Sequence, residues 1–195
     1  QANKFYFERG GAERYLFDLS DWQRAQGHEV IPFAMRHPEN KSTPWERFFP
    51  SFVSTVRVAF GPQALKTLGR MFFSFEALRK MSRLVEETRP AICHVHNLYT
   101  QLSPSVLYAL REANIPMVMT VHDHHLVSAQ YNLWAPGCGE NVDGLGMWQA
   151  ATRRFHKQSY AASFAQAAAF AFHHQLRAYE RFVDRFIVPS AYLAD

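Results

Sequence analysis

Residues 91–125 read AICHVHNLYTQLSPSVLYALREANIPMVMTVHDHH, and this stretch decides the fold. Two short apolar runs, at residues 92–95 and 117–121, are separated by one segment of helical length, which predicts a strand, a helix and a second strand. A helix that joins two strands in this way makes them parallel, so that their carboxyl ends meet at one edge of the sheet, where open α/β sheets bind ligands. The polar residues at the ends of the two runs are His94, His96 and Asn97, and then His122, Asp123, His124 and His125.

The rest of the chain continues the alternation of strands and helices, which predicts an α/β fold with a mostly parallel sheet and flanking helices. A first helix follows Gly10 and Gly11 and ends at Gly27, with apolar residues Tyr15, Leu16, Leu19 and Trp22 at helical spacing. No complete strand precedes this helix, so we expect the first strand to lie before Gln1 and the chain to be a fragment. The other predicted strands cover residues 28–35, 91–96, 117–122 and 185–189, and the other predicted helices cover residues 64–89, 103–114 and 147–182.

Composition narrows the class of protein. The length of 195 residues fits one domain, and the net charge of +4 comes without any dense run of Lys and Arg. We therefore expect no nucleic-acid partner, whereas anionic phosphates or a membrane surface remain compatible with the charge. With only Cys93 and Cys138, the chain has neither a disulfide framework nor a four-cysteine zinc site, which favours a reducing compartment.

One apolar segment raises the question of membrane contact. Residues 161–172 are alanine-rich and apolar, and Arg153, Arg154 and Lys157 precede them. The segment is too short to span a bilayer. It fits either a core helix or a helix that lies on a membrane surface, and the pattern leaves both interpretations open.

Two features near the predicted sheet edge have alternative interpretations. Gly10 and Gly11 precede the first helix without a side-chain cap, so they form either a tight turn or an approach for an anion to the free amide groups. His94 and His96 point to the same face of their strand. Together with His122 and His124 they form either a set of metal ligands or a polar rim that hydrogen-bonds a ligand.

Taken together and in this order, several motifs resemble the amino-terminal domain of family 4 glycosyltransferases, over nearly the whole chain. Each motif alone is unspecific, whereas the ordered set is specific. The motifs are FYxxRGGAER at residues 5–14, GHEV at 27–30, HVHNLYxQLSP at 94–104, PMVMTVHD at 116–123 and FIVPS at 186–190.

This resemblance implies a GT-B enzyme, in which two Rossmann-like domains face each other across a cleft. Residues 1–195 would form the acceptor-side domain, and the carboxyl-terminal domain that binds the donor would be absent. The implied reaction moves a sugar from a nucleotide-sugar donor to a glycan or lipid-linked sugar acceptor, retains configuration and uses no cofactor or metal. The family's donor domain carries two glutamates separated by seven residues, and no such pair occurs here, so we expect the fragment alone to be inactive.

The resemblance also implies roles for individual residues. His122 would lie beside the transferred sugar as the catalytic residue, where it would hydrogen-bond a hydroxyl or the developing charge. The remaining expected residues are Gly10, Gly11, Glu13 and Asp123 on the donor side, and His96, Asn97, Tyr99 and Gln101 on the acceptor side. We expect a cytoplasmic protein, with contact at the inner face of the membrane as an open alternative.

Two other functions stay open from the sequence. The chain could be a non-catalytic α/β module that binds a glycan or a partner. It could also be a metal-dependent hydrolase that uses His94, His96, His122 and His124 as ligands.

Overall fold

The computed structural model describes residues 1–53, 62–129, 152, 156 and 158–194, with only the main chain described at 62–66. Within these ranges the chain forms a parallel sheet flanked by helices, as the sequence predicts. The strands are β1 (Cys93–Val95), β2 (Met117–Thr120) and β3 (Arg185–Ile187). The helices are α1 (Gly11–Ala25), α2 (Pro62–Phe72), α3 (Phe75–Thr88), α4 (Tyr99–Leu102), α5 (Ser105–Glu112), α6 (Tyr160–Leu176), α7 (Ala178–Phe182) and α8 (Ala191–Ala194), and two short 3-10 helices cover Pro44–Phe48 and His124–Leu126.

The first residues of the chain lie inside the sheet, between Phe33 and β1. β1, β2 and β3 are neighbours in that order, and all their pairings are parallel. Ala2 forms parallel bridges with both Val95 of β1 and Phe33, and the main-chain N–H of His96 donates to the carbonyl of Ala2 over 2.8 Å. The place of the strand that we expected to be missing is therefore taken by residues 1–4. Along the chain, the next extended segment, at Phe33, lies on one side of Ala2, and β1 lies on its other side. This reversal of direction creates a topological switch point between Ala2 and β1.

The predicted helix over residues 64–89 is two helices in the structure, and the physical cause is Ser74. Its hydroxyl accepts from the N–H of Ala77 and caps α3, so a new helix begins there. Its own N–H donates to the Ser103 hydroxyl over 2.8 Å, and its carbonyl accepts from the Ser105 hydroxyl. The bond to Ser103 replaces the helical bond that the sequence pattern predicts for the Ser74 N–H, whereas the Ser74 carbonyl also accepts from the N–H of Leu78 as part of α3.

Other element boundaries also differ from the prediction. The predicted strand over residues 28–35 is reduced to the single bridge at Phe33. The helix predicted over residues 103–114 is present as α5, which covers Ser105–Glu112. The short α4 before it was not predicted, and Ser103 separates the two helices because its φ of 60° is one that helical residues do not adopt. The predicted long helix before β3 is broken at Arg177, whose φ is 51°. The sheet strands themselves are two to three residues shorter than predicted.

The core lies mainly between the sheet and helices α3, α5 and α7, with Val95, Leu107, Met117 and Met119 fully buried. A second cluster, which includes Leu16 and Phe17 of α1, packs apart from it. Of the predicted apolar face of α1, Leu16 is buried, whereas Trp22 is 60% exposed. That face is rotated by about one residue, because Glu13, Leu16, Phe17 and Ser20 are the residues that α1 buries.

Several predictions fall outside the described residues. They are those for Leu65, Cys138, Arg153, Arg154, Lys157, the loop after Ala129 and the first part of the helix predicted over residues 147–182. Among the helices that the structure describes, none has the length and apolarity needed to cross a bilayer.

Candidate functional site

The switch point places the ends of two neighbouring strands next to the start of α1. Asn3 and Lys4 follow the bridge at Ala2, and His96 and Asn97 follow β1. The main-chain N–H of Lys4 donates to the carbonyl of Asn97 over 2.8 Å, which locks the two strand ends together. We call this region the switch edge; it consists of residues 3–4, 96–99 and 122–123 together with the first turn of α1.

Asn3 connects the switch edge to α1. Its side-chain amide donates to Oε1 of Glu13 over 3.2 Å and to the carbonyl of Phe5 over 2.9 Å. Its Oδ1 accepts from the main-chain N–H of Asn97 over 3.1 Å. Asn3 and Glu13 are 1% and 4% exposed, so each depends on the other to satisfy a buried polar group. Glu13 is thereby held in the first turn of α1, where a carboxylate is favoured by the helix dipole.

Three histidines form one stacked group, with His96 and His122 at the switch edge and His94 beside it on β1. The rings of His94 and His96 are nearly parallel with centroids 4.5 Å apart, as their two-residue spacing along extended chain predicts. Nδ1 of His96 lies 2.9 Å from Nε2 of His122, and the two rings are 5.2 Å apart. Nε2 of His94 is 2.7 Å from the hydroxyl of Thr120 on β2. The edge of the Tyr15 ring faces His122 at 5.4 Å.

Burial keeps these imidazoles neutral. Burial lowers the pKa of His94 to about 4, and it lowers the pKa of the fully buried His96 well below its usual range. Burial also lowers the pKa of His122, although the carboxylates of Asp123 and Glu13 oppose the shift. At neutral pH the group therefore offers hydrogen-bonding nitrogens and no positive charge.

Asp123 has a structural partner and a capping role. The hydroxyl of Tyr99 donates to its Oδ1 over 2.6 Å, and the main-chain N–H of His125 donates to the same oxygen over 3.0 Å. Tyr99 has a φ of 32°, an unusual conformation for a non-glycine residue that is often found at functional sites. The ring of Tyr99 also packs on that of His125, 4.0 Å away.

The start of α1 is open to a ligand. No side chain caps the helix at Gly10, as the sequence predicts, and its first-turn amide groups carry the positive end of the helix dipole. A Cβ built on Gly11 would meet no atom of the described residues within 4 Å, apart from its chain neighbours and the main chain of α1. Free amide groups and empty space in front of them are what a phosphate group requires.

Lys4, like Asn3, is a residue of the switch edge that the sequence did not reveal. Its ammonium lies 5.8 Å from the centre of the Tyr99 ring, and burial lowers its pKa, against the opposing carboxylates of Asp123 and Glu13. Lys4 makes no ion pair among the residues that the structure describes. Its position directly after a strand would have indicated Lys4 as a site residue, but the sequence pattern predicted that the first strand lies before Gln1.

The expected acceptor-side residues lie in different environments. His96 has no exposed surface, so it reaches a ligand only through another residue. Asn97 is 4% exposed, and its Oδ1 has no hydrogen-bond partner within the described ranges. Gln101 lies on α4, where its main-chain oxygen accepts from buried Arg70 of α2. Its described contacts therefore tie Gln101 to α2.

The structure does not assemble the ligand set of the hydrolase hypothesis. No three side chains of His, Cys, Asp and Glu in the described part of the chain are positioned to hold a metal ion. Nε2 of His94 is bonded to Thr120, both ring nitrogens of His96 are bonded to Gln1 and His122, and Nε2 of His122 is bonded to His96. The ring of His124 instead packs against Tyr192, 5.2 Å away.

Comparison with known proteins gives one match. The model of the family described as Glycosyltransferase Family 4 matches residues 9–195. Neither the curated proteins nor the solved structures contain a significant match to the chain.

Proposed function

Because the chain belongs to Glycosyltransferase Family 4, we propose that it forms the acceptor-side half of a retaining transferase that moves a sugar from a nucleotide-sugar donor to a glycan or glycolipid. In this proposal a second, donor-binding domain closes over the switch edge. The transfer takes place on the cytoplasmic side, at the inner face of the membrane for a lipid-linked acceptor. It uses the nucleotide sugar as co-substrate and needs no further cofactor.

The observation that carries the proposal is the open start of α1 beside His122. Cleavage of a nucleotide sugar leaves a diphosphate on which negative charge develops, and preorganised N–H groups stabilise such charge. The uncapped amide groups after Gly10 supply these donors, and the empty space at Gly11 leaves room for the phosphate oxygens. The ammonium of Lys4 adds a positive charge on the same side of the sheet end.

His122 is the second part of the proposed site. It is half-buried and neutral, and Tyr15 and His96 fix the plane of its ring. A rigid imidazole beside the leaving diphosphate is suited to hold the transferred sugar in place, since positioning of the reacting centre lowers the barrier. Glu13 and Asp123 serve this site indirectly, Glu13 through Asn3 and Asp123 by fixing the turn after His122.

The test uses Gly11→Val in the natural full-length protein. A Cβ at this position meets no described atom beyond the main chain of α1, so we expect the variant to fold, whereas its side chain would enter the space proposed for the diphosphate. We expect Gly11→Val to lower transfer from a nucleotide sugar about 100-fold, equivalent to about 2.7 kcal/mol of transition-state binding. Gly69→Ala, at a helix position where a Cβ also meets no atom within 4 Å, is the matched control and should keep full activity.

The assay measures sugar release and transfer from a panel that includes UDP-glucose and GDP-mannose, with short lipid-linked sugars as acceptors. Binding of a nucleotide sugar by calorimetry without turnover would favour the non-catalytic module instead. A Gly11→Val protein with full activity would contradict the proposed diphosphate position.

A further inference from the structure

A chain of four side chains connects α1 to His122. Nε2 of Gln1 donates to Oε1 of Gln23 on α1 over 2.7 Å. Oε1 of Gln1 lies 2.7 Å from Nε2 of His96, and Nδ1 of His96 lies 2.9 Å from Nε2 of His122. All three separations are those of good hydrogen bonds. The chain runs from the body of α1 through the fully buried His96 to the half-buried His122.

The direction of each bond follows from the chemistry of its atoms. An amide oxygen only accepts, so Nε2 of His96 carries the proton and donates to Gln1. A neutral imidazole has one protonated nitrogen, which leaves Nδ1 of His96 as an acceptor. The facing Nε2 of His122 must then carry a proton and donate. The neutral state that this step needs agrees with the burial of both rings, which lowers the pKa of each.

One ring nitrogen of His122 is left without a proton. With Nε2 protonated and committed to His96, Nδ1 of the neutral ring has a free lone pair. Nδ1 makes no hydrogen bond within the described ranges, where only Nε2 of this ring has a partner. The rings of Tyr15 and His96 pack against it, with centroids 5.4 and 5.2 Å from its own, and hinder the rotation that would exchange its nitrogens.

We propose that Gln1 and His96 are positioning residues that fix His122 as the tautomer protonated at Nε2, so that its Nδ1 accepts a hydrogen bond from a hydroxyl of the bound sugar. The identity of that ligand rests on the proposed function. The inference decides between the two roles that the sequence left open for His122. A nitrogen that only accepts binds a hydroxyl, whereas it repels the developing negative charge of a departing diphosphate. That charge is left to the amide groups of α1 and to Lys4.

The primary test is nitrogen-15 NMR of histidine-labelled full-length protein without ligand at pH 7.5. The signals of His122 are identified by their loss in His122→Asn. We expect a protonated Nε2 coupled to its hydrogen and an unprotonated Nδ1. A proton on Nδ1, or a charged ring with protons on both nitrogens, would overturn the inference. This measurement needs no substrate, so it is independent of the proposed function.

A pair of His96 variants then tests the positioning role. His96→Asn places an amide oxygen near the position of Nδ1 and can still accept from His122, whereas His96→Leu cannot. We expect the Leu variant to raise the KM for the active nucleotide sugar about 10-fold, equivalent to the loss of about 1.4 kcal/mol of binding. The Asn variant should stay within about 3-fold of the parent protein, and kcat should change less than KM in both.

The outcomes of the two tests separate the proposals. Equal impairment of both His96 variants, or no effect in either, would overturn the role of His96 as a positioning residue. If His96→Leu does not fold, the NMR result and the Asn variant still decide the matter. A protein with the expected tautomer that binds neither UDP-glucose nor GDP-mannose would overturn the proposed function and the sugar contact, and the hydrogen-bond chain would stand.

Discussion

His122 and His125 lie three residues apart in the sequence, yet the structure places them in different surroundings. His122 is half-buried at the switch edge and is hydrogen-bonded through Nε2 to His96. His125 is buried between the rings of Tyr99 and Phe170, and its Nε2 has no hydrogen-bond partner in the described part of the chain. His125 also lines a mainly apolar cavity of about 200 Å³ between the 3-10 helix and α6.

The contrast shows that one sequence cluster can serve two purposes. Asp123 lies between the two histidines and caps the 3-10 helix, which turns the chain at that point. That turn directs His122 towards β1 and His125 towards α6. The hydrogen bond to His96 determines which ring nitrogen of His122 donates and which accepts. The ring of His125 instead contributes mainly apolar packing. We therefore expect changes at the two positions to affect different properties of the protein.

The largest expected effect is the loss of activity on removal of the His122 ring. His122→Ala should lower kcat/KM for transfer about 100-fold, since it removes the sugar contact and the rigid wall beside it, worth about 2.7 kcal/mol. His125→Phe keeps the ring volume at the neighbouring site and should change kcat/KM less than about 3-fold. Steady-state kinetics on the full-length protein measure both. Equal losses of kcat/KM in the two variants would contradict the proposal that His122, and not His125, contacts the substrate.

The second prediction concerns acid stability. Burial lowers the pKa of His125 to about 3, helped by His173, Lys4 and His156, whose charges oppose its protonation. The unfolded chain binds a proton here near pH 6.5 and the folded protein does not, so this histidine costs stability as pH falls below that value. Between pH 8 and 5, His125→Phe should therefore lose about 2 kcal/mol less unfolding free energy than the parent protein.

Urea unfolding at pH 8, 6.5 and 5 checks this prediction. At pH 8 the ring is neutral in both the folded and unfolded states, so the two proteins should then differ by no more than about 1 kcal/mol. Parallel pH profiles of the two proteins would show that His125 is protonated in the folded state, contrary to its burial.

The third prediction concerns Tyr99, which contacts Asp123 next to His122 and also contacts His125. Its hydroxyl donates to Asp123 and its ring packs on His125. Tyr99→Phe removes the first contact and keeps the second, so the free energy of unfolding should fall by about 1.5 kcal/mol, the value of a hydrogen bond to a charged group. Tyr108→Phe is the control, because the described contacts of Tyr108 are with aromatic rings, and it should cost less than about 0.5 kcal/mol. Equal losses would mean that the hydroxyl of Tyr99 does not stabilise Asp123.

The sequence predicts the general position of the site because that information is local. Apolar runs of strand length with one intervening helix define a βαβ unit, whose geometry brings the polar ends of β1 and β2 together. The two-residue spacing of His94 and His96 predicts their shared face, and the structure confirms it. The absence of a side-chain cap at Gly10 was also evident from the residue types alone.

The placement of His122 and His125 in different surroundings was not predictable from local sequence patterns. It depends on Asp123 capping a turn and on the hydroxyl of Tyr99, after the neighbouring strand, donating to Asp123 from 24 positions away. The break at Ser74 has a similar cause, since its partner Ser103 is 29 positions away. A periodicity argument considers only residues within a few turns, so it predicts one continuous helix there. Asn3 was missed for the same reason, because its partners Glu13 and Asn97 lie on separate elements.

The smallest expected effect is at Thr120. It tests whether the His94 ring is held by a hydrogen bond, as the His122 ring is, or by packing, as the His125 ring is. Its hydroxyl lies 2.7 Å from Nε2 of His94, and the residue is fully buried. Thr120→Val keeps the shape and removes the hydrogen bond, so urea unfolding at pH 7.5 should show a loss of about 1 kcal/mol. Thr88→Val is the control, because the hydroxyl of Thr88 bonds only the carbonyl of Leu84 in its own helix; it should change stability by a few tenths of a kcal/mol at most. A loss at Thr120 as small as the control would mean that the His94 ring is held by packing alone, as His125 is. A loss of about 1 kcal/mol in unfolding free energy would mean that a hydrogen bond holds the ring of each of the three stacked histidines.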